Sequence, residues 1–197
     1  MYDRFVDDLS AFVLAGGMSS RMGQDKAFLP WKGATLLSHA LDLVGQVSTK
    51  VQIVGDATKF SRFGEVVEDV FVGRGPLAGI HAALLKSASR RNLVLAVDVP
   101  FVEKAFLAYL VSQAKLTDAV VTLPLAGGRL QPLCAIYRPQ FAEVAERSLK
   151  EGKNKIDPLF ATVETRVIQP DELTQQGFSE QMFRNLNTPE EFEQALH

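Results

Sequence analysis

Short apolar runs, each stopped by glycine, aspartate or proline and separated by stretches with helical spacing, constrain this 197-residue chain more than any other feature. The runs are Ala11 to Ala15, Val51 to Val54, Val66-Val67, Leu93 to Val97, Ala119 to Leu123, Leu133 to Tyr137 and Val163 to Ile168. Unbroken runs of this length match strands covered on both faces, and alternation with helices predicts a mostly parallel sheet with helices on either side. The helical stretches are equally legible. Leu36, Leu37, Ala40, Leu41, Val44 and Val47 share one face behind a Thr35 cap, and Pro76 opens a helix through Ile80, Leu84 and Leu85. Others are expected from Val102 to Ala114, from Pro139 through Leu149, and from Pro189 to Leu196, the last capped by Thr188.

Ligands of such sheets gather beyond the carboxyl ends of the strands. The first run ends in Gly16-Gly17, followed by Arg21 and Lys26. Paired glycines tolerate φ > 0 and close approach, so their N–H groups could cradle a phosphate, with Arg21 and Lys26 reaching its oxygens. It is not a Walker A loop, since no Gly-Lys-Ser/Thr stands at the required spacing. Glu68-Asp69 and Asp98 close two further strands. Asp98 suits a hard cation such as Mg²⁺, held by one or two carboxylates plus substrate phosphates and water. A cap for the segment after Pro100 is the other reading of Asp98. Asn185 and Asn187 precede the last helix and could be purely structural.

With 47% apolar residues the chain can bury the core of a single domain spanning 1–197. Lys+Arg 21 against Asp+Glu 23, net charge -2, without blocks, argues against a nucleic-acid or membrane-surface binder. Single Cys134 lies in an apolar run, which excludes an intramolecular disulfide and marks the thiol as core. The acidic N-terminus carries no secretory signal pattern and no run reaches the ~20 residues of a membrane span, so a cytoplasmic location is expected. His39 and His81 fall inside helices with no nucleophile motif nearby, which leaves acyl chemistry unsupported. Phosphoryl transfer asks for less, because an ionised phosphate nucleophile needs only positioning and charge neutralisation. A rival motif, Gly73-Arg-Gly75-Pro-Leu-Ala78, has the form of a dinucleotide fingerprint and would suit an NAD-dependent oxidoreductase. It sits late in the series, and Pro76 removes a backbone donor where the pyrophosphate should lie.

Assembled, these residues resemble the molybdenum cofactor guanylyltransferase (MobA-like nucleotidyltransferase) family. Leu14-Ala-Gly-Gly-Met-Ser-Ser-Arg-Met-Gly-Gln-Asp-Lys26 is similar to its signature, supported by Glu68-Asp69 with Gly75-Pro-Leu-Ala-Gly79, by Asp98-Val-Pro100 and by Asn187-Thr-Pro-Glu-Glu191. The resemblance implies a Rossmann-like three-layer α/β/α fold of the nucleotide-diphospho-sugar transferase type. It implies transfer of GMP from GTP to the terminal phosphate of molybdopterin cofactor with release of pyrophosphate and use of Mg²⁺. Proteins that deliver or accept the cofactor would be its partners. By matched position Leu14, Ala15, Gly16 and Gly17 would line the nucleotide and Lys26 would contact phosphate. Asp69 would help hold the nucleoside, Asp98 would bind the metal, and Arg21 would neutralise pyrophosphate. Asn187 would lie near the metal or the acceptor phosphate. Gly55-Asp56 departs from the polar Asn common in that family after the second strand. Relatives using CTP or another nucleotide share the loop, and a nucleotide-binding protein without turnover is the remaining alternative.

Overall fold

The computed structural model describes residues 8–16, 25–186 and 189–196. In chain order its elements are β1 (Leu9–Leu14), β2 (Pro30–Trp31), β3 (Ala34–Thr35), α1 (Leu36–Gly45), β4 (Lys50–Val54), α2 (Ala57–Phe60), β5 (Val66–Val67) and α3 (Pro76–Lys86). There follow β6 (Arg91–Ala96), α4 (Lys104–Lys115), β7 (Val121–Ala126), β8 (Arg129–Leu130), β9 (Cys134–Tyr137), α5 (Phe141–Lys150), β10 (Thr165–Ile168), α6 (Pro170–Gln175) and α7 (Pro189–Leu196). The main sheet runs β10-β7-β9-β6-β1-β4-β5, with β8 on β7, while β2 and β3 form a separate hairpin. β1 pairs parallel with β4 and β6, β4 with β5, and β7 with β10; β9 runs antiparallel to both β6 and β7. The expected mostly parallel sheet is therefore present, with one reversed strand in its middle.

Side chains alternate across the sheet and feed two apolar layers. Ala11, Val13, Leu93 and Leu95 face one layer with Leu36, Leu37, Ala40, Leu43 and Val44 of α1 and Phe106, Leu107 and Leu110 of α4. Phe12, Leu14, Val94 and Ala96 face the other, with Leu77, Ile80 and Leu84 of α3 and Phe141, Ala145 and Leu149 of α5. Each fully buried Leu, Ile or Phe contributes roughly 1.5–3 kcal/mol from apolar burial. Cys134 is buried in the first layer as expected, and burial pushes its thiol far above the ordinary range.

Element edges moved for identifiable reasons. β6 begins at Arg91 rather than Leu93, because two polar residues enter the core with their donor groups bonded, although Asn92 Oδ1 has no partner among the described residues. The Arg91 guanidinium donates to the Ala114 carbonyl and pairs with Asp8, and Asn92 Nδ2 donates to the Tyr137 carbonyl at 3.1 Å. α1 buries Leu43 in addition to the expected face, on which Leu41 and Val47 pack against the core only partly buried, and Leu85 on α3 stays exposed. α4 starts at Lys104, two residues later than expected. α6 was not foreseen; Gln169 and Glu172 close it with a reciprocal cap behind Pro170. Thr35 caps α1 as expected, its Oγ1 accepting from Ser38 N–H at 3.1 Å, whereas the Thr188 cap lies outside the described residues.

Candidate active site

Four strands end on one side of the sheet, and the chain bends there in different ways. Beyond β1, the Ala15 and Gly16 N–H groups both donate to the Val54 carbonyl at the end of β4, at 3.0 and 3.2 Å. The expectation that the Gly16 amide is free to hold a phosphate is thus corrected: it extends the β1–β4 pairing. Gly16 instead keeps the wall thin. A Cβ there would lie 3.6 Å from Gly55 Cα, an ordinary contact. Among the described residues the left-handed glycines of the region are Gly73 (φ 75) and Gly75 (φ 70), and Gly75 leads directly into α3 with Pro76 in its first turn. Gly79, one turn on, lets α3 press against the strand ends, since a Cβ there would come within 3.2 Å of Leu14 Cδ2 and 3.3 Å of Val54 Cγ1.

Between these segments lies a cavity of about 220 Å³. Its walls are Leu14, Ala15 and Gly16 at and beyond the end of β1, Asp25 and Lys26, Val54, Asp69, then Gly75, Pro76 and Gly79 around the start of α3, Ala96, Val97 and Asp98 at and beyond the end of β6, and Leu133. Leu14, Ala15, Gly16, Lys26, Asp69 and Asp98 were all singled out from the sequence, and one cavity holds them together. Gly17, Arg21 and Asn187 lie outside the described residues. A second cavity of about 580 Å³ shares Ala15, Gly16, Asp25, Asp69 and Gly75 and continues between Gly55–Phe60 and Glu68–Gly75.

Charge is concentrated at the ends of β5 and β6. Lys26 Nζ lies 3.5 Å from Asp98 Oδ2, each side chain about one-fifth exposed (20% and 19%). The other oxygen, Asp98 Oδ1, is shielded from solvent and has no hydrogen-bond partner among the described residues. Asp98 does not cap the next helix: α4 follows Glu103, and the Asp98 carbonyl accepts from Leu186 N–H at 3.0 Å. Asp69 is half-buried with Oδ1 likewise unpartnered, and desolvation raises its carboxyl above the usual value. Asp25, which the motif reading passed over, has a double role. Its Oδ1 caps the short 3-10 turn Lys26–Phe28 through Ala27 N–H at 3.2 Å, and its Oδ2 holds Lys59 Nζ at 3.0 Å. An Asp immediately before a short Lys-Ala-Phe turn was the signal available for it.

Among the described residues no cluster of three or more His, Cys, Asp or Glu is built to enclose a metal ion. The donor set fits a different arrangement, in which the shielded, unpartnered Asp98 oxygen supplies one ligand and a phosphate-bearing substrate and water supply the rest. Lys26 stands beside it, a point charge of the kind that can meet phosphate oxygens. The dinucleotide motif at Gly73 to Ala78 fails on geometry. β5 ends at Val67 and α3 starts at Pro76, so the intervening Glu68–Gly75 loop is a long excursion, not the tight strand-to-helix turn that places a pyrophosphate on a helix end.

Comparison with known proteins gives the same picture. The family model described as a MobA-like NTP transferase domain matches residues 11–165. A probable molybdenum cofactor guanylyltransferase of Carboxydothermus hydrogenoformans is 31% identical over 97% of this chain and 96% of its own length. One from Pelotomaculum thermopropionicum is 35% identical over 93% and 89%. Among solved structures, molybdopterin-guanine dinucleotide biosynthesis protein A from Archaeoglobus fulgidus superposes with a TM-score of 0.82 at 26% identity, covering 95% of this chain and 96% of that one.

Proposed function

The chain belongs to the MobA-like NTP transferase family, and from that premise we infer that it transfers GMP from GTP to the terminal phosphate of molybdopterin cofactor, with release of pyrophosphate. The observation that carries the reading is the convergence of Leu14 to Gly16, Lys26, Asp69 and Asp98 on one cavity at the strand ends. The nucleotide lies along the β1 end with its nucleoside near Asp69 and its phosphates toward Lys26 and Asp98. An oxygen of the acceptor phosphate attacks the α-phosphorus, forming the new P–O bond as the α–β bridging bond breaks, and pyrophosphate leaves with the electron pair. The acceptor phosphate is already ionised, so no general base is required. Lys26 exchanges its carboxylate partner for phosphate oxygens and neutralises charge there. Asp98 would hold the divalent cation, which we take to be Mg²⁺; such an ion would supply Lewis-acid neutralisation of the charge that develops on the leaving group. Arg21 and Asn187 are assigned to the pyrophosphate and acceptor sides by motif position. The chain acts as one transferase domain over 1–197 in the cytoplasm, and among the described residues no helix is long and apolar enough to cross a membrane.

A nucleotide panel tests this reading. With Mg²⁺ present, GTP at about 100 times its Kd is expected to stabilise the fold by ~2.7 kcal/mol, or roughly 5–10 °C at about 2–4 °C per kcal/mol for a chain of this size, while CTP, ATP and UTP give markedly smaller shifts. A larger shift with CTP and none with GTP would overturn the guanine assignment and leave the transferase class standing. Asp98→Ala is expected to abolish pyrophosphate release while the protein stays folded.

A further inference from the structure

The carboxylate of Asp98 can serve a cation only if the turn that carries it is held still, and the ties on that turn come from distant parts of the chain. Before it, Val97 N–H donates to the Leu14 carbonyl at 3.2 Å; at it, the Asp98 carbonyl accepts from Leu186 N–H at 3.0 Å. After it, the Pro100 carbonyl lies 2.9 Å from Nε2 of His39, a residue of α1. A carbonyl only accepts, so His39 Nε2 carries the proton whatever the state of Nδ1. The ring itself is seated against Trp31 (6.3 Å, 60°), and Trp31 in turn meets Phe101 edge-on (5.3 Å, 86°). Two contacts, one polar and one aromatic, therefore run from α1 and the β2–β3 hairpin to the two residues that follow Val99.

We propose that His39 is a positioning residue for the metal-binding carboxylate: its N–H pins the Pro100 carbonyl and so fixes the direction in which Asp98 presents its oxygens. This rests on the transferase reading above. Outer partners that orient a metal ligand typically change metal affinity or activity by about 10- to 100-fold when removed. Because His39 acts through backbone two residues away, the lower end of that range applies.

Three variants separate the N–H from the ring. His39→Phe keeps an aromatic ring against Trp31 and loses the donor, His39→Gln keeps a donor and loses the ring, and His39→Ala loses both. Binding of Mn²⁺ to the GTP-saturated protein is followed by water-proton relaxation, beside the thermal midpoint and the steady-state metal dependence. His39→Phe and His39→Ala are expected to weaken Mn²⁺ binding about 10-fold, and His39→Gln to stay within about 2-fold of the unaltered protein. Unaltered Mn²⁺ affinity in His39→Phe, or a His39→Gln protein as impaired as His39→Phe, overturns the proposal. Should the unaltered protein itself show no metal-dependent use of GTP, the transferase reading fails first, an outcome separate from either of these.

Discussion

Among the described residues, Asp69 with its unpartnered Oδ1 and His81 with both ring nitrogens unpartnered carry opposite pH signatures. Asp69 is held above its ordinary value of 3.8 by desolvation, so the fold favours its protonated form. Its contribution is complete below pH 3.8 and is lost as pH rises through the folded value. Asp69→Asn is therefore expected to raise the thermal midpoint of the nucleotide-free protein at pH 7, by about 2–4 °C per kcal/mol recovered, with the advantage vanishing in acid and GTP binding weakened. A midpoint no higher than the parent's at pH 7 would show the carboxylate to be solvated. His81 behaves in the reverse sense. Buried beside Phe71, with neither ring nitrogen bonded among the described residues, it is held below 6.5 chiefly by desolvation, with Glu146 and Lys150 acting on it in opposite directions. Its contribution is complete above pH 6.5 and is lost as pH falls through the folded value. Melting curves from pH 7.5 to 5 should accordingly be flatter for His81→Leu than for the parent. At this scale the sequence was informative about Asp98 and Asp69, because a carboxylate at the end of an apolar run has few structural uses, and about Lys26 through its place in the glycine-rich stretch after the first run. It was uninformative about Asp25 and His39, whose partners Lys59 and Pro100 are 34 and 61 residues away.

Among the elements, glycines that look alike in sequence are needed for different reasons. A Cβ on Gly55 would stand 2.8 and 2.9 Å from the Phe60 ring. That ring is buried and packs against Phe28 at a centroid distance of 5.6 Å. Gly55→Ala is expected to cost about 1–3 kcal/mol as an overpacking change, read as a lowered midpoint with or without nucleotide. Gly16→Ala meets nothing closer than 3.6 Å. It should leave the nucleotide-free midpoint within about 0.5 kcal/mol of the parent, as uncrowded substitutions usually do, yet weaken GTP binding, because the added methyl stands in the cavity wall. Equal losses in both variants would refute this division. Strand and helix order was legible because each element carries its own periodicity. The reversal of β9 was not, since a buried strand four residues long has the same composition in either direction, and its pairing with β6 and β7 is decided by neighbours. α6 was missed for a related reason: its Pro-Asp-Glu-Leu-Thr-Gln stretch buries only Leu173, too little for an apolar stripe.

For the molecule as a whole, the cavity draws on residues from Leu14 to Leu133, so it exists only once the sheet is assembled. One feature of that assembly couples the two ligands. The ammonium of Lys26 rests 3.5 Å from Asp98 Oδ2, against the carboxylate proposed to hold a divalent cation. Polyphosphate draws the lysine toward itself and releases the carboxylate, so nucleotide and cation should enter as cooperating ligands, each raising the affinity for the other by the same factor. The nucleotide-free Lys26→Ala protein should then bind Mn²⁺ more tightly than the parent, by about 5-fold for an interaction worth ~1 kcal/mol in a partly exposed pair, even as its affinity for GTP falls. Equal Mn²⁺ affinity in the two proteins would mean that the lysine does not guard the carboxylate. If it does, the lysine makes the resting site a shared one: GTP would loosen its hold on Asp98, and a cation on Asp98 would in turn free the lysine for GTP, with no order of arrival imposed.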